Sequence, residues 1–165
     1  MRSIILVLFT IVASVSGQVP LDIIQQKVVG AGGIIVGTTS LNEARQGFRG
    51  SDKTIQNFTY DQSMEDGTKI YTAAQSFDGM MIYWTVGVKS GLVKMIIIKT
   101  IISDVAVLNA VFNATVKTRT TRLGYPHTES RGMYGWGYTD TLYTLALISN
   151  NSGIMQMTEM ISIKG

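Results

Sequence analysis

Short runs of Ile, Val, Met and Tyr, each closed by Gly, Asn, Asp or Ser, recur along most of this chain. β-Branched and aromatic residues fit the pleated surface of a sheet, and Gly and Asn adopt the backbone angles of tight turns. The pattern predicts an all-β fold, a single antiparallel β-sandwich or barrel-like domain with one or two short helical turns. The predicted strands are 33–37, 54–60, 69–76, 80–88, 92–103, 105–117, 141–149 and 154–164.

Local signals predict how these strands are connected. Asp66-Gly67, Asp78-Gly79 and Ser90-Gly91 each lie between extended runs and are typical of hairpin turns. Ser40-Leu41-Asn42-Glu43 matches a helix capping box, with Gly47 where a short helix would end. We expect a further helical turn within 20–27.

The last strand alternates most clearly. Met155, Met157, Ile161 and Ile163 share one face, which predicts that this face is buried. Glu159 stands on the same face and, with Met160, breaks the alternation.

The N-terminus has the order of a secretory signal peptide: Arg2, an apolar run over 4–12, then small residues ending at Gly17. The apolar run is too short to span a bilayer. We expect cleavage after Gly17, which leaves residues 18–165 as one secreted, extracellular domain, with a cut after Ser16 as the alternative.

Composition excludes several classes of protein. With 45% hydrophobic and 15% charged residues the chain is expected to fold, and a net charge of +3 is too small to indicate nucleic-acid binding. The sequence has no Cys and one His, His127. We therefore expect no disulfide, no structural metal and no cofactor.

Three Asn-x-Ser/Thr sequons begin at Asn57, Asn113 and Asn150. A secretory route would expose them to glycosylation, and an attached glycan must face solvent. Asn150 lies in a predicted turn and is the best candidate. Asn57 and Asn113 lie in predicted strands, so each would have to occupy a solvent face.

The stretch 131–138 is the candidate binding loop, with Arg131, Tyr134, Trp136 and Tyr138 as its binding residues. Its glycines would expose backbone and its rings could stack on a partner. The alternative is that the rings fill the edge of the core where a loop crosses the sheet.

A second possible partner surface is basic. Lys117 and Arg119 share one face if their segment is extended, and that face could bind a polyanion. The alternative is an ordinary solvated strand face.

The sequence contains no recognisable catalytic motif, because G-x-S-x-G and H-E-x-x-H are absent and His127 has no nucleophile or acid near it. We expect no enzymatic activity. The hydrophobic segment 92–112 contains Lys94, Lys99 and Asp104, which argue against a membrane span.

The chain resembles the arthropod family named after multiprotein bridging factor two, which includes salivary secreted peptides. The resemblance lies in the apolar-Val-Gly segment at 33–37, Gly124-Tyr125-Pro126, the glycines over 132–137 and the Ile-x-Ile-x-Gly ending at 161–165. It implies a small, cysteine-free, secreted β-rich protein without catalytic residues. The family's namesake is described as a transcriptional coactivator.

These observations lead to one principal hypothesis, a secreted, non-enzymatic protein that binds an extracellular protein or a small ligand. The alternatives are a transcription coactivator, by family analogy, and a small extracellular hydrolase.

Overall fold

A computed structural model describes residues 19–49, 54–77, 79–150 and 152–164 of the chain. The predicted signal peptide, with its cleavage point at Gly17, lies outside these ranges. Within them the chain forms eleven strands and two helices. In chain order these are β1 (Leu21–Ile24), β2 (Lys27–Ala31), β3 (Ile34–Ile35), α1 (Leu41–Arg49), β4 (Thr54–Ser63), β5 (Lys69–Phe77), β6 (Met80–Lys89), β7 (Leu92–Ile102), α2 (Val105–Leu123), β8 (Thr128–Ser130), β9 (Met133–Gly137), β10 (Thr141–Ser149) and β11 (Met155–Ile163).

The strands form an eight-stranded antiparallel sheet, in the order β4-β5-β6-β7-β11-β10-β9-β8, and a three-stranded sheet, in the order β1-β2-β3. Helix α2 packs on β7 and β11, helix α1 on β4, and β2 on β10 and β11. The two helices and the small sheet form a second layer, and the hydrophobic core lies between this layer and the large sheet. The all-β prediction is confirmed.

The large sheet contains a repeat that the sequence does not reveal. Helix α1 is followed by strands β4 to β7, and helix α2 by strands β8 to β11. The last strands of these two halves, β7 and β11, pair with each other at the centre of the sheet, where Ile98 lies opposite Glu159. The fold is therefore two helix-plus-four-strand units joined along β7 and β11.

The strand predicted at 105–117 is wrong, because this segment is the first part of helix α2. The Asp104 carboxylate accepts hydrogen bonds from the N–H groups of Ala106 and Val107 and so caps the helix N-terminus. The helix ends at Gly124, which has a positive φ of 85°. The buried residues recur with a helical period: Leu108, Val111, Phe112, Thr115, Arg119 and Leu123.

Three threonines in α2 use their side-chain hydroxyls in hydrogen bonds within the helix. The hydroxyls of Thr115, Thr118 and Thr121 each donate to the carbonyl four residues earlier. The β-branched composition that predicted a strand is thus compatible with a helix. At 19 residues α2 is also longer than the short helical turns that we expected.

Of the other helix predictions, one is confirmed and two are wrong. The capping box is confirmed, because the Ser40 N–H donates to the Glu43 carboxylate at 2.7 Å and the Glu43 N–H donates to the Ser40 hydroxyl at 3.3 Å. Gly47 does not end the helix, which runs on to Arg49. The helical turn predicted within 20–27 is wrong, since β1 and β2 form a hairpin there.

The hydrophobic segment at 92–112 divides between strand β7 and the start of helix α2. In the part of the chain that the structure describes, neither helix combines the length and the apolarity needed to cross a bilayer.

Candidate functional site

The predicted binding loop is an edge hairpin. Strand β9 pairs with β10 on one side and with the edge strand β8 on the other. Tyr134 and Trp136 point towards helix α2, where the Tyr134 ring lies 6.0 Å from that of Phe112. Gly135 lies on the opposite face, where a Cβ atom would collide with the Thr128 hydroxyl. The alternation of glycines and aromatic residues is therefore a strand that packs its rings inwards.

Trp136 is a core residue. Its side chain is 0% exposed, and its ring lies 5.3 Å from the ring of Tyr143. Because the ring is enclosed by the protein, it cannot stack against a partner, and the prediction that Trp136 binds at the surface is wrong.

The indole of Trp136 also positions the loop that follows helix α2. Its Nε1–H donates to the Gly124 carbonyl at 3.0 Å. The Gly124 N–H donates in turn to the Thr120 carbonyl at 2.9 Å. A buried ring thus holds both the end of α2 and the start of the loop.

Tyr125, the residue after this anchored glycine, is 87% exposed. It has the highest exposure among the large hydrophobic side chains in the described ranges. In the sequence Tyr125 stood out only as part of the Gly-Tyr-Pro resemblance. Its position between a helix-ending glycine and a proline is the local signal for an exposed loop tip.

Strand β8 continues from this loop and forms one edge of the large sheet. All three of its residues are exposed. Its hairpin with β9 turns at Arg131 and Gly132, which both have positive φ angles, 37° and 81°. In such a two-residue hairpin the residues that flank the turn, here Ser130 and Met133, form hydrogen bonds with each other. Glu129 is the next residue along β8, so its backbone N–H and C=O point away from β9, towards the open edge of the sheet.

His127 fastens the start of β8. Its Nδ1 accepts a hydrogen bond from the Gly137 N–H at 2.9 Å, and its backbone N–H donates to the Gly135 carbonyl at 2.8 Å. The loop that carries Tyr125 is thus held at both ends.

The remaining predicted binding residues differ in accessibility. Arg131 is exposed, and so is its neighbour Met133. Tyr134 and Tyr138 are half-buried. The Tyr138 hydroxyl is buried with no hydrogen-bond partner in the described ranges, and burial raises its pKa. We define the edge surface as Tyr125, His127, Glu129, Arg131 and Met133.

A charged cluster lies inside the core, where α2 crosses β10 and β11. Arg119, Tyr143 and Glu159 are 3%, 0% and 2% exposed. The Tyr143 hydroxyl donates to the Glu159 carboxylate at 2.5 Å, and the Arg119 guanidinium donates to Glu159 at 3.3 Å and to the Tyr143 oxygen at 3.3 Å. Arg119 also donates to the Val19 carbonyl at 3.4 Å.

The pKa values of Arg119 and Tyr143 are both raised in this cluster. Burial is the largest single influence and lowers the pKa of Arg119, but the electrostatic interactions and hydrogen bonds with Glu159 and Tyr143 together outweigh it and raise the net pKa above its ordinary value. Burial, reinforced by Glu159, raises the pKa of Tyr143 well above its usual range. Tyr143 therefore stays protonated and donates. Glu159, the residue that broke the alternation of β11, is the core residue that pairs with α2.

The predicted basic face does not form. Lys117 is exposed, whereas Arg119 is buried on the opposite side of the same helix. Residues two apart share a face in a strand but not in a helix, so the error follows directly from the wrong secondary structure.

The three sequons lie in different settings. Asn113 is exposed and lies on helix α2, not on a strand. Asn57 is half-buried on β4. The Asn150 side-chain oxygen accepts hydrogen bonds from the N–H groups of Ser152 and Ile154, both at 2.9 Å, in the turn between β10 and β11.

No group of three or more His, Cys, Asp or Glu side chains that could hold a metal occurs among the described residues. Comparison of the chain with protein-family models, with curated proteins and with solved structures finds no match.

Proposed function

We propose that the protein is a secreted, non-enzymatic binding protein of arthropod type whose domain recognises an extracellular partner through the edge surface. The observation that carries this proposal is Tyr125, 87% exposed on a loop whose backbone is anchored by the buried Trp136. An aromatic side chain on a rigid support loses little conformational entropy on binding, which is why such residues dominate the affinity of interfaces.

The edge surface suits a protein or peptide partner better than a small ligand. Beside Tyr125 it presents the open edge of β8, whose outward N–H and C=O groups can pair with an added strand. Arg131 and Glu129 supply charges of both signs, and Met133 is 51% exposed. Apolar, ionic and backbone contacts are thus available in one short segment.

Secretion is tested by localisation. We expect the full-length chain, expressed in insect cells with a C-terminal tag, to accumulate in the medium with Gln18 as its first residue, since the apolar N-terminus is recognised and cleaved after Gly17. N-terminal sequencing of the secreted protein measures this. Retention inside the cell with residues 1–17 intact would contradict the proposal and favour the coactivator alternative.

Partner binding is tested at Tyr125. We expect Tyr125→Ala to weaken capture of the partner from native secreted fluid by more than about 1 kcal/mol, because it removes an exposed anchor. The free energy of unfolding should change by less than about 0.5 kcal/mol, since the side chain contributes little to the core. Titration of the captured partner and a melting curve measure the two quantities.

Tyr83→Ala is the matched control, because Tyr83 is also an exposed tyrosine, 41% accessible, but lies on strand β6. It should leave capture unchanged. Equal losses of capture in both variants would indicate nonspecific binding through exposed tyrosines and would contradict the edge surface as the binding site.

A further inference from the structure

Two sequons of the same type, Asn-x-Thr, differ in what their asparagine side chains do. The Asn57 Nδ2 donates to the Arg45 carbonyl at 3.0 Å, and the Asn57 Oδ1 accepts from the Phe58 N–H at 2.7 Å. This half-buried amide joins helix α1 to strand β4. A glycan is attached through the same nitrogen, so a sugar at Asn57 would stand between these two elements.

Asn113 has the opposite setting. It lies on the outer face of helix α2, and its side chain makes no hydrogen bond within the described ranges. Its helical neighbours Asn109, Ala110 and Lys117 are exposed as well. A glycan on Asn113 would extend into solvent without displacing a contact.

The sequon of Asn113 nevertheless includes a residue that folding removes from the surface. Thr115 is 0% exposed, and its hydroxyl donates to the Val111 carbonyl at 2.8 Å. The transferase recognises the hydroxyl of the sequon together with the asparagine. In the folded protein that hydroxyl is inaccessible, so any modification of Asn113 has to precede the packing of α2 on the sheet.

We propose that Asn113 carries an N-linked glycan, attached before the domain folds, and that the folded, secreted protein is unmodified at Asn57, because a chain with a glycan on the Asn57 nitrogen could not form the contact between α1 and β4. The proposal rests on the proposed secretion, which brings the chain to the transferase. The donor is a lipid-linked oligosaccharide pyrophosphate. The Asn113 amide nitrogen forms a bond to the anomeric carbon and loses a proton, while the anomeric C–O bond breaks and the lipid pyrophosphate leaves.

Site occupancy is measured on protein purified from insect-cell medium. Enzymatic removal of glycans in heavy-oxygen water converts a modified asparagine to labelled aspartate, which peptide mass spectrometry detects. We expect the label at Asn113 and none at Asn57. Asn113→Gln should increase gel mobility by one glycan, and the matched control Asn57→Gln should leave it unchanged.

Secreted protein without a label at Asn113, or with one at Asn57, would overturn the inference while leaving the proposed secretion intact. Failure of the full-length chain to reach the medium would instead contradict the proposed function. The two failures are therefore distinguishable in one preparation.

The order of events has its own test. Unglycosylated domain 18–165, purified in the folded state, and the same chain held unfolded in mild denaturant are each given purified transferase and a lipid-linked donor. A peptide spanning 105–123 in the same denaturant controls for loss of transferase activity. We expect the peptide and the unfolded chain to be modified at Asn113 at least about tenfold faster than the folded domain, and equal rates would contradict modification before folding.

Discussion

Trp136→Ala is expected to lower the free energy of unfolding by about 3–5 kcal/mol, because it leaves a large cavity beneath helix α2. The ring is 0% exposed and packs against Tyr143. Its Nε1–H is also the donor that anchors the Gly124 carbonyl. Chemical denaturation of the purified domain, followed by circular dichroism, measures the loss.

Trp136→Phe separates the two contributions, since it keeps most of the ring volume and removes the hydrogen bond to Gly124. We expect a smaller loss of stability and faster hydrogen exchange at the Gly124 N–H. If Trp136→Ala left stability within about 0.5 kcal/mol of the wild type, as is usual for surface positions, the ring could not be part of the core.

Removing one member of the buried cluster is expected to have an effect of similar size. Glu159→Ala leaves the Arg119 guanidinium in the core without its counter-ion, and breaking a buried pair in this way costs about 3–5 kcal/mol. Denaturation measurements on the purified variant give the value. Lys117→Ala, an exposed cation on the same helix, is the control and should change stability by less than about 0.5 kcal/mol.

The double variant Arg119→Met with Glu159→Leu tests whether the buried ion pair stabilises the fold overall, or whether each charge only requires the other once it is buried. Replacing both charges by apolar side chains removes the desolvation penalty of each but leaves the buried Tyr143 hydroxyl without a partner, so we expect the double variant to lose only about 1–3 kcal/mol, much less than the sum of the two single variants. If the losses of the two single variants simply added, the two side chains would not be coupled and the buried ion pair would be ruled out.

The hydrogen bond from Trp136 to Gly124 and the buried cluster around Arg119 together attach helix α2 to the large sheet. Trp136 of β9 holds the end of the helix, and Glu159 of β11 and Tyr143 of β10 hold Arg119, which lies about one turn before that end. Arg119 also reaches the Val19 carbonyl. The position of Tyr125 in the edge surface therefore depends on core residues from three strands.

Strand prediction succeeded where local chemistry and tertiary structure agree. Strand β10 was predicted with its observed bounds, and the turn at Ser90-Gly91 has both residues at positive φ. Prediction failed at 105–117, where Val and Thr favour a strand but the capping residue Asp104 favours the start of a helix. That signal was present in the sequence, and composition outweighed it.

The candidate site was predicted only in part. Glycine and aromatic residues marked 131–138 correctly as an unusual segment, and Arg131 is indeed exposed. The direction of each ring depends on the strand's pairing with β8 and β10, which involves residues far apart in the chain. No local pattern could therefore have placed Trp136 inside, whereas the sequence Gly124-Tyr125-Pro126 did carry a local signal for an exposed Tyr125.

The sequence by itself determined the all-β class, the turns at Asp66-Gly67 and Ser90-Gly91 and the capped start of α1, because β-branched runs, glycines and capping residues act over only a few positions. It also marked Glu159 as an exception within an apolar face. Only the tertiary structure decided that Glu159 meets Arg119, that the last strands of the two halves pair, and that a buried indole holds an exposed tyrosine. Those contacts join residues at least 12 positions apart, and their energies arise from burial and pairing that exist only once the chain has folded.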